Sequence, residues 1–227
     1  DGPGIRTTVF FKGCPLKCLW CHNPESISPH PQVHWIANQC IGCKTCLDAC
    51  PEGALAFTEG GNRIDRGRCT GCGLCVDECP AAALQLLGRM WELDDLVTEV
   101  TKDRVYFESS GGGVTLGGGE PTLQAVFNRE FLKRLKAEGI HTALDTCGMC
   151  PRNVLEGLLP HLDLLLFDLK EMDAEKHRRF TGATHERILE NLLCVRDWMR
   201  SEGRPGQLWI RTPIIPGSTA TDENIRG

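Results

Sequence analysis

Cysteine is the residue type that could do the most chemistry here. The chain has 14 cysteines in 227 residues, and eleven of them lie between Cys14 and Cys79. A disulfide framework does not require repeated two- and three-residue spacings ending in Cys-Pro, whereas metal ligation does, and clustered thiolates call for a reducing compartment. The run Cys14-Pro-Leu-Lys-Cys18-Leu-Trp20-Cys21-His22-Asn23 offers three thiolates and no obvious fourth. A 4Fe-4S cubane held by three cysteines keeps one iron open, as a catalytic zinc keeps an open position for its substrate. Cys14, Cys18 and Cys21 are therefore candidate catalytic ligands. A three-cysteine zinc site completed by His22 or a remote ligand is the alternative.

Two further runs are copies of each other: Cys40-Ile-Gly-Cys43-Lys-Thr-Cys46-Leu-Asp-Ala-Cys50-Pro51 and Cys69-Thr-Gly-Cys72-Gly-Leu-Cys75-Val-Asp-Glu-Cys79-Pro80. Both fit the bacterial two-cluster ferredoxin pattern, in which the fourth cysteine of each run crosses to the other cluster. Cys40, Cys43, Cys46 and Cys79 would hold one auxiliary 4Fe-4S cluster, and Cys69, Cys72, Cys75 and Cys50 a second. Two four-thiolate zinc sites compete, but zinc motifs pair two ligands, leave a spacer and pair two more. Cys147, Cys150 and Cys194 remain over and read as buried free thiols.

The elements that must position these ligands alternate. Short apolar runs at Thr7 to Phe11, Gly113 to Leu116, His141 to Asp145, Leu162 to Asp168 and Leu208 to Ile215 predict strands buried on both faces. Helical spacing recurs at Trp91, Leu93, Leu96, Val97 and Val100, at Phe127, Phe131, Leu132 and Leu135, and at Ile188, Leu189, Leu192, Val195 and Met199. Strands alternating with helices predict an α/β fold with a parallel, barrel-like sheet, whose chemistry sits at the strands' C-terminal ends. The doubled cysteine pattern interrupts this rhythm. We expect residues 1–34 to begin the core, 35–87 to form an inserted small ferredoxin-like α+β domain, and 88–227 to continue the core.

Strand ends carry the other candidates. Gly111-Gly-Gly-Val-Thr-Leu-Gly117-Gly118-Gly119-Glu120-Pro121 ends the second strand, and bare glycine there permits close approach to the backbone. No Gly-Lys-Ser/Thr follows, which argues against a phosphate loop, and a plain turn is the bland alternative. Asp145-Thr146-Cys147-Gly148 ends the third strand, Asp168-Leu169-Lys170 the fourth, and Arg211 lies on the fifth. A solvated strand end is the bland reading of each.

The Cys-x3-Cys-x2-Cys spacing with an aromatic before its last member resembles the motif of the radical S-adenosylmethionine (SAM) enzymes. Asp1-Gly-Pro-Gly-Ile-Arg6 and Cys21-His-Asn-Pro-Glu25 resemble, more narrowly, the activating enzymes of glycyl radical enzymes. The resemblance covers nearly the whole chain, and the ferredoxin-like insertion points to the subgroup serving dehydratases, decarboxylases and carbon–nitrogen or carbon–sulfur lyases. It implies a partial (β/α) barrel, three 4Fe-4S clusters and SAM. Trp20, Cys21 and His22 would border the cofactor; Gly118, Gly119 and Glu120 would contact the SAM amino group. Gly117 stands where relatives usually have Ser. Asp168, Leu169 and Lys170 would line the pocket, with Lys170 suited to the methionine carboxylate. Asp145, Thr146 and Asp168 would help hold a monovalent cation, and Arg211 would meet SAM or the incoming substrate loop. A further SAM-contacting His is expected on a sixth strand beyond residue 227, with both ends of a longer chain missing.

The implied reaction is reductive cleavage of SAM to a 5′-deoxyadenosyl radical that takes hydrogen from a glycine of a partner enzyme. A flavodoxin or ferredoxin is the expected electron donor, with the auxiliary clusters acting as a relay or shaping the docking surface. A pure iron–sulfur electron carrier and a radical SAM enzyme acting on another substrate are the alternatives. The first leaves the strand-end motifs without a use. A net charge of −5 without a basic stripe argues against nucleic acid and anionic membrane surfaces. Apolar runs too short to span a bilayer and the absence of a leader-like start predict a cytoplasmic protein.

Overall fold

The computed structural model describes residues 2–226, so Asp1 of the opening motif lies outside the described residues. The chain forms two units, one comprising the residues up to Ile27 and from Trp91 onward, the other Ser28–Met90. Its elements run β1 (Arg6–Phe11), β2 (Gln32–Trp35), α1 (Thr45–Asp48), β3 (Leu55–Thr58), β4 (Gly61–Ile64), α2 (Leu74–Asp77), β5 (Leu84–Leu87), α3 (Leu93–Thr101) and α4 (Arg104–Ser110). They continue with β6 (Gly113–Gly118), α5 (Ala125–Ala137), β7 (His141–Thr146), α6 (Arg152–Leu158), β8 (Leu164–Asp168), α7 (Ala174–Thr181), α8 (Glu186–Glu202), β9 (Gln207–Arg211) and α9 (Asp222–Arg226).

The larger unit is an α/β layer built on one five-stranded sheet, ordered β1-β6-β7-β8-β9, in which every adjacent pair is parallel. Strand side chains alternate in direction. Val114, Leu116, Leu144, Leu165 and Phe167 point to the helix side, where they pack with Leu96 and Val100 of α3, Phe131, Leu132 and Leu135 of α5, and Ile188 and Val195 of α8. Phe131, Leu132 and Leu135 are wholly buried, worth roughly 1.5–3 kcal/mol each. The opposite face carries a smaller apolar group, Ala143, Leu164 and Leu166, and its polar side chains gather toward the strand ends. At the start of β1, Arg6 points to this second face. Its Nε donates to Thr115 Oγ1 at 2.7 Å and its Nη2 to the Val114 carbonyl at 2.8 Å, tying β1 to β6 at the end opposite the cysteine loop.

Two strands are shorter than the sequence predicts. The Leu162 to Asp168 run begins its strand at Leu164, because Leu159–His161 forms a short 3-10 turn. The Leu208 to Ile215 run stops at Arg211, where Pro213 and Pro216 cannot donate to a ladder. In the larger unit, α4, α6, α7 and α9 were not foreseen from apolar spacing. They are only 5 to 8 residues long and bury one to three side chains each.

The smaller unit pairs β2 with β5 and β3 with β4, both antiparallel. It extends on each side of the range 35–87 because β2, lying before the first cysteine run, closes on β5 after the second. Its buried apolar cluster is small, Val33, Cys75 and Leu84, with Ala54 and Ala83 also buried. So few side chains make a unit of this size marginal without a further cross-link.

Candidate functional site

The loop from Cys14 to Cys21 is held from three sides by backbone hydrogen bonds. The Cys14 N–H donates to the Ile27 carbonyl, and those of Lys17 and Leu19 donate to the Thr181 and Phe180 carbonyls at 2.7 and 2.9 Å, so the C-terminal end of α7 is the loop's anchor. Sequence reasoning missed this anchor, although its punctuation was present. Asp173 caps α7 by accepting from the Lys176 N–H, and Gly182 ends it in the left-handed conformation. The α7 end is fixed in turn by the buried His177, whose Nδ1 lies 2.5 Å from the Ala183 carbonyl and 3.1 Å from Thr181 Oγ1. Trp20 lies against Phe180 with ring centroids 5.6 Å apart.

The third side is the glycine edge of β6. The Gly119 N–H donates to the Phe11 carbonyl, and the Glu120 N–H to the Gly13 carbonyl at 2.7 Å. A Cβ on Gly119 would stand 2.2 Å from the Gly13 oxygen, and Gly118 has φ of +104°, so these two glycines let the cysteine loop lie directly on the strand end. At Gly117 a Cβ would meet only ordinary contacts with Asp145 and Thr8, so a small side chain would fit there.

Loop, glycine edge and strand ends enclose an open cleft of about 520 Å³. That is within the several hundred Å³ that hold a drug-sized ligand. Of the residues singled out from sequence, Cys14, Cys18, Trp20, Cys21, His22, Gly118, Gly119, Asp145, Asp168, Lys170 and Arg211 line it. Thr8 and Phe10 on the second face of β1, and Asn23, line it too and were not foreseen. Strand alternation from Arg6 was the signal for the first two.

Glu120 and Leu169 do not line the cleft. Glu120 is fully buried, its carboxylate accepting from Thr122 N–H, Thr122 Oγ1, Thr146 Oγ1 and Cys147 N–H at 2.7 to 3.1 Å. It binds the ends of β6 and β7 together. Leu169 packs on the helix-side core while its N–H donates to the Arg211 carbonyl. Cys147 does line the cleft, but burial and the adjacent Glu120 carboxylate, to which its thiol donates, hold its pKa far up.

Charge in the cleft is paired. Lys170 Nζ donates to Asp168 Oδ2 at 2.8 Å, while Arg211 donates to Asp168 Oδ1 from Nε at 2.9 Å and to Asp145 Oδ1 from Nη2. Burial opposes the Lys170 charge, yet Asp168 outweighs it and holds the ammonium pKa above its ordinary value. Burial, then repulsion by Asp168, raises the Asp145 pKa against the pull of Arg211. A monovalent cation shared by Asp145 and Asp168 must therefore displace that guanidinium; Thr146 Oγ1 is committed to Glu120. Arg211→Leu should leave the two carboxylates facing one ammonium and raise the Asp145 pKa further. Because the pairs are partly exposed, the expected cost is about 1–3 kcal/mol at neutral pH. A carboxyl with a raised folded pKa loses stability as pH climbs through that value. The variant's deficit should therefore be full at neutral pH and fade as pH falls toward about 4, the unfolded value, a trend that melting temperatures measured across pH would reveal.

The thiols suit iron–sulfur ligation in both units. Burial pushes Cys14 up to about 11, with repulsion from Glu120, Cys18 and Cys21 adding to it, so three neighbouring thiolates need a cation to stay ionised together. In the smaller unit Cys40, Cys43, Cys46 and Cys79 line one concavity. Burial raises Cys75 to about 11, and its charged neighbours are Cys50, Cys69 and Cys72. The fourth cysteine of each run thus stands with the other run. The repeat extends to the backbone: Ala54 N–H donates to Cys50 Sγ and Ala83 N–H to Cys79 Sγ, both at 3.3 Å, and such bonds lower the charge a cluster's sulfurs must carry.

This combination of a parallel sheet, a three-thiol loop at its C-terminal edge and a doubled four-thiol unit corresponds to two matched families. The Radical SAM superfamily matches residues 66–226, and the 4Fe-4S dicluster domain matches residues 33–95. Among curated proteins, the trans-4-hydroxy-L-proline dehydratase activating enzyme of Clostridioides difficile is 43% identical, covering 99% of this chain and 73% of that protein. The (2S)-3-sulfopropanediol dehydratase activating enzyme of Klebsiella oxytoca is 40% identical over 99% and 71%. The choline trimethylamine-lyase activating enzyme of Oleidesulfovibrio alaskensis is 38% identical over 100% and 72%. The chain belongs to the radical SAM superfamily, within its activating enzymes of glycyl radical enzymes. Iron–sulfur clusters and SAM are the cofactors of this class. Among the described residues, no helix is long and apolar enough to cross a membrane.

Proposed function

We propose that this chain activates a glycyl radical enzyme by cleaving SAM reductively and directing the 5′-deoxyadenosyl radical at a backbone glycine of the partner. The observation that most supports this reading is the cleft in which Cys14, Cys18 and Cys21 face Lys170, Asp168 and the glycine edge. Three cysteines leave one iron of a bound cubane open, and that iron supplies electron transfer and chelation. The protein's own part is positioning. Lys170 offers an ammonium to the methionine carboxylate, Asp168 keeps that ammonium charged, and Arg211 fixes Asp168. The backbone of Gly117 to Gly119 presents an edge bare of side chains, and Phe10 and Trp20 supply apolar walls.

Three 4Fe-4S clusters follow from the cysteine sets, two of them auxiliary. A flavodoxin or ferredoxin supplies the electron, and the clustered thiolates support a reducing, cytoplasmic setting. The partner class is a glycyl radical dehydratase, decarboxylase or lyase. The test is anaerobic incubation of the reconstituted protein with SAM and a strong reductant, alone and with a candidate partner. Equal amounts of methionine and 5′-deoxyadenosine, with a glycyl radical spectrum on the partner, are expected. No product from fully loaded, reduced protein would support the electron-carrier alternative instead.

A further inference from the structure

The smaller unit carries a basic concavity that the reaction above does not use. The hairpin β3–β4 and the segment after it bring Arg63, Arg66 and Arg68 around one open depression, whose wall also includes Ala54 and a single carboxylate, Asp65. All three arginines are exposed, and none is paired with a carboxylate among the described residues. Arg66 Nη1 donates to the Val33 carbonyl at 2.6 Å and Arg68 Nη2 to the Glu52 carbonyl, so two guanidinium groups are held in place by neutral acceptors with their charge unspent. The Asp65 carboxylate is engaged by the Gly67 N–H at 2.9 Å. On a chain of net charge −5 this is a local reversal of sign.

Its position relative to the thiols gives it meaning. The Ala54 N–H, in the wall, donates to Cys50 Sγ at 3.3 Å, and Arg68 directly precedes Cys69. One hydrogen bond therefore separates the depression from a sulfur of the group Cys50, Cys69, Cys72 and Cys75. A cationic depression focuses an anionic partner, and the short path to sulfur gives the arriving partner a place to deliver an electron.

We infer that Arg63, Arg66 and Arg68 form the docking site for an acidic electron-donor protein and that electrons enter through the cluster held by Cys50, Cys69, Cys72 and Cys75. The inference rests on reading those four thiols as one iron–sulfur cluster. In the step itself the donor is oxidised by one electron and the cluster reduced by one. No bond forms or breaks, and no proton moves.

The experiment is stopped-flow reduction of the reconstituted full chain by reduced flavodoxin, followed by bleaching of cluster absorbance. Wild type is compared with Arg63→Glu and with the triple variant R63E/R66E/R68E. The Arg63 side chain makes no hydrogen bond or ion pair among the described residues, so its reversal leaves the fold intact even if the triple variant does not load. At low salt the second-order rate constant should fall about 10-fold or more in Arg63→Glu, the lower end of electrostatic steering, and the difference should vanish near 1 M salt. Reduction by an uncharged photoreductant should be unchanged. Equal flavodoxin rates and salt slopes in fully loaded proteins overturn the docking site and leave the cluster assignment standing. Wild type that holds iron and sulfide only at the three-cysteine loop overturns both, and is recognised by metal analysis before any kinetics. Weakened glycyl radical formation that is the same with the photoreductant assigns the depression to the radical-enzyme partner and overturns the donor.

Discussion

A Cys14→Ala, Cys18→Ala, Cys21→Ala variant is expected to fold, keep the absorbance of two clusters and lose SAM cleavage to background, a fall on the order of 10⁶ or more. Folding should survive because the loop's place depends on backbone bonds from Cys14, Lys17 and Leu19 to the Ile27, Thr181 and Phe180 carbonyls, which alanine retains. The auxiliary thiols should survive because they belong to the Ser28–Met90 unit, which has its own strands and apolar core. A complementary variant, Cys50→Ala with Cys79→Ala, removes the crossing ligand of each auxiliary group and should leave the three-cysteine site loaded. Iron content, visible absorbance and 5′-deoxyadenosine yield on the same samples check both expectations. Cleavage surviving in the triple variant would mean that the open iron lies elsewhere.

The asymmetry between what sequence revealed and what it concealed has a physical origin. Ligand spacing is local, so Cys14 to Cys21 and the paired runs were legible as thiolate sets, and even the crossing of Cys50 and Cys79 follows from a pattern internal to each run. The inner strands β6, β7 and β8 were legible because burial on both faces favours apolar runs, whereas the edge strands β1 and β9 carry the same signal although they are mostly half-buried or exposed. Support is non-local. α7 buries His177, Phe180 and Thr181 but has mostly charged residues otherwise, and no periodicity announces that its last carbonyls hold a loop some 160 positions earlier. Glu120 is hard to read for the opposite reason. A carboxylate after Gly118 and Gly119 at a strand end has the composition of a ligand contact, and only the three-dimensional direction of its side chain shows four protein donors claiming it.

Glu120 therefore gives the sharpest expectation about support. Its two oxygens collect two backbone N–H groups and two threonine hydroxyls inside a site with no solvent exposure. Glu120→Ala strands the Thr122 and Cys147 N–H groups; threonine hydroxyls can turn to other acceptors, but these amides cannot. At about 1–3 kcal/mol for each orphaned donor and a similar loss from bonds to a charged acceptor, about 4 kcal/mol is expected. That is a large part of a total stability of roughly 5–15 kcal/mol. Glu120→Gln keeps the shape but turns one amide NH2 toward existing donors, for about 2 kcal/mol, or roughly 4–8 °C in a domain of this length. Because the side chain faces protein rather than cleft, the KM for SAM should change little in whatever fraction of Glu120→Gln remains folded and loaded. Denaturant unfolding of the reconstituted variants, read beside SAM-dependence of cleavage, separates the two roles. A raised KM with an unshifted unfolding midpoint would return Glu120 to the ligand. A lowered midpoint with KM intact would establish that the glycine edge stays in register with the cysteine loop because a buried carboxylate joins β6 to β7 behind it.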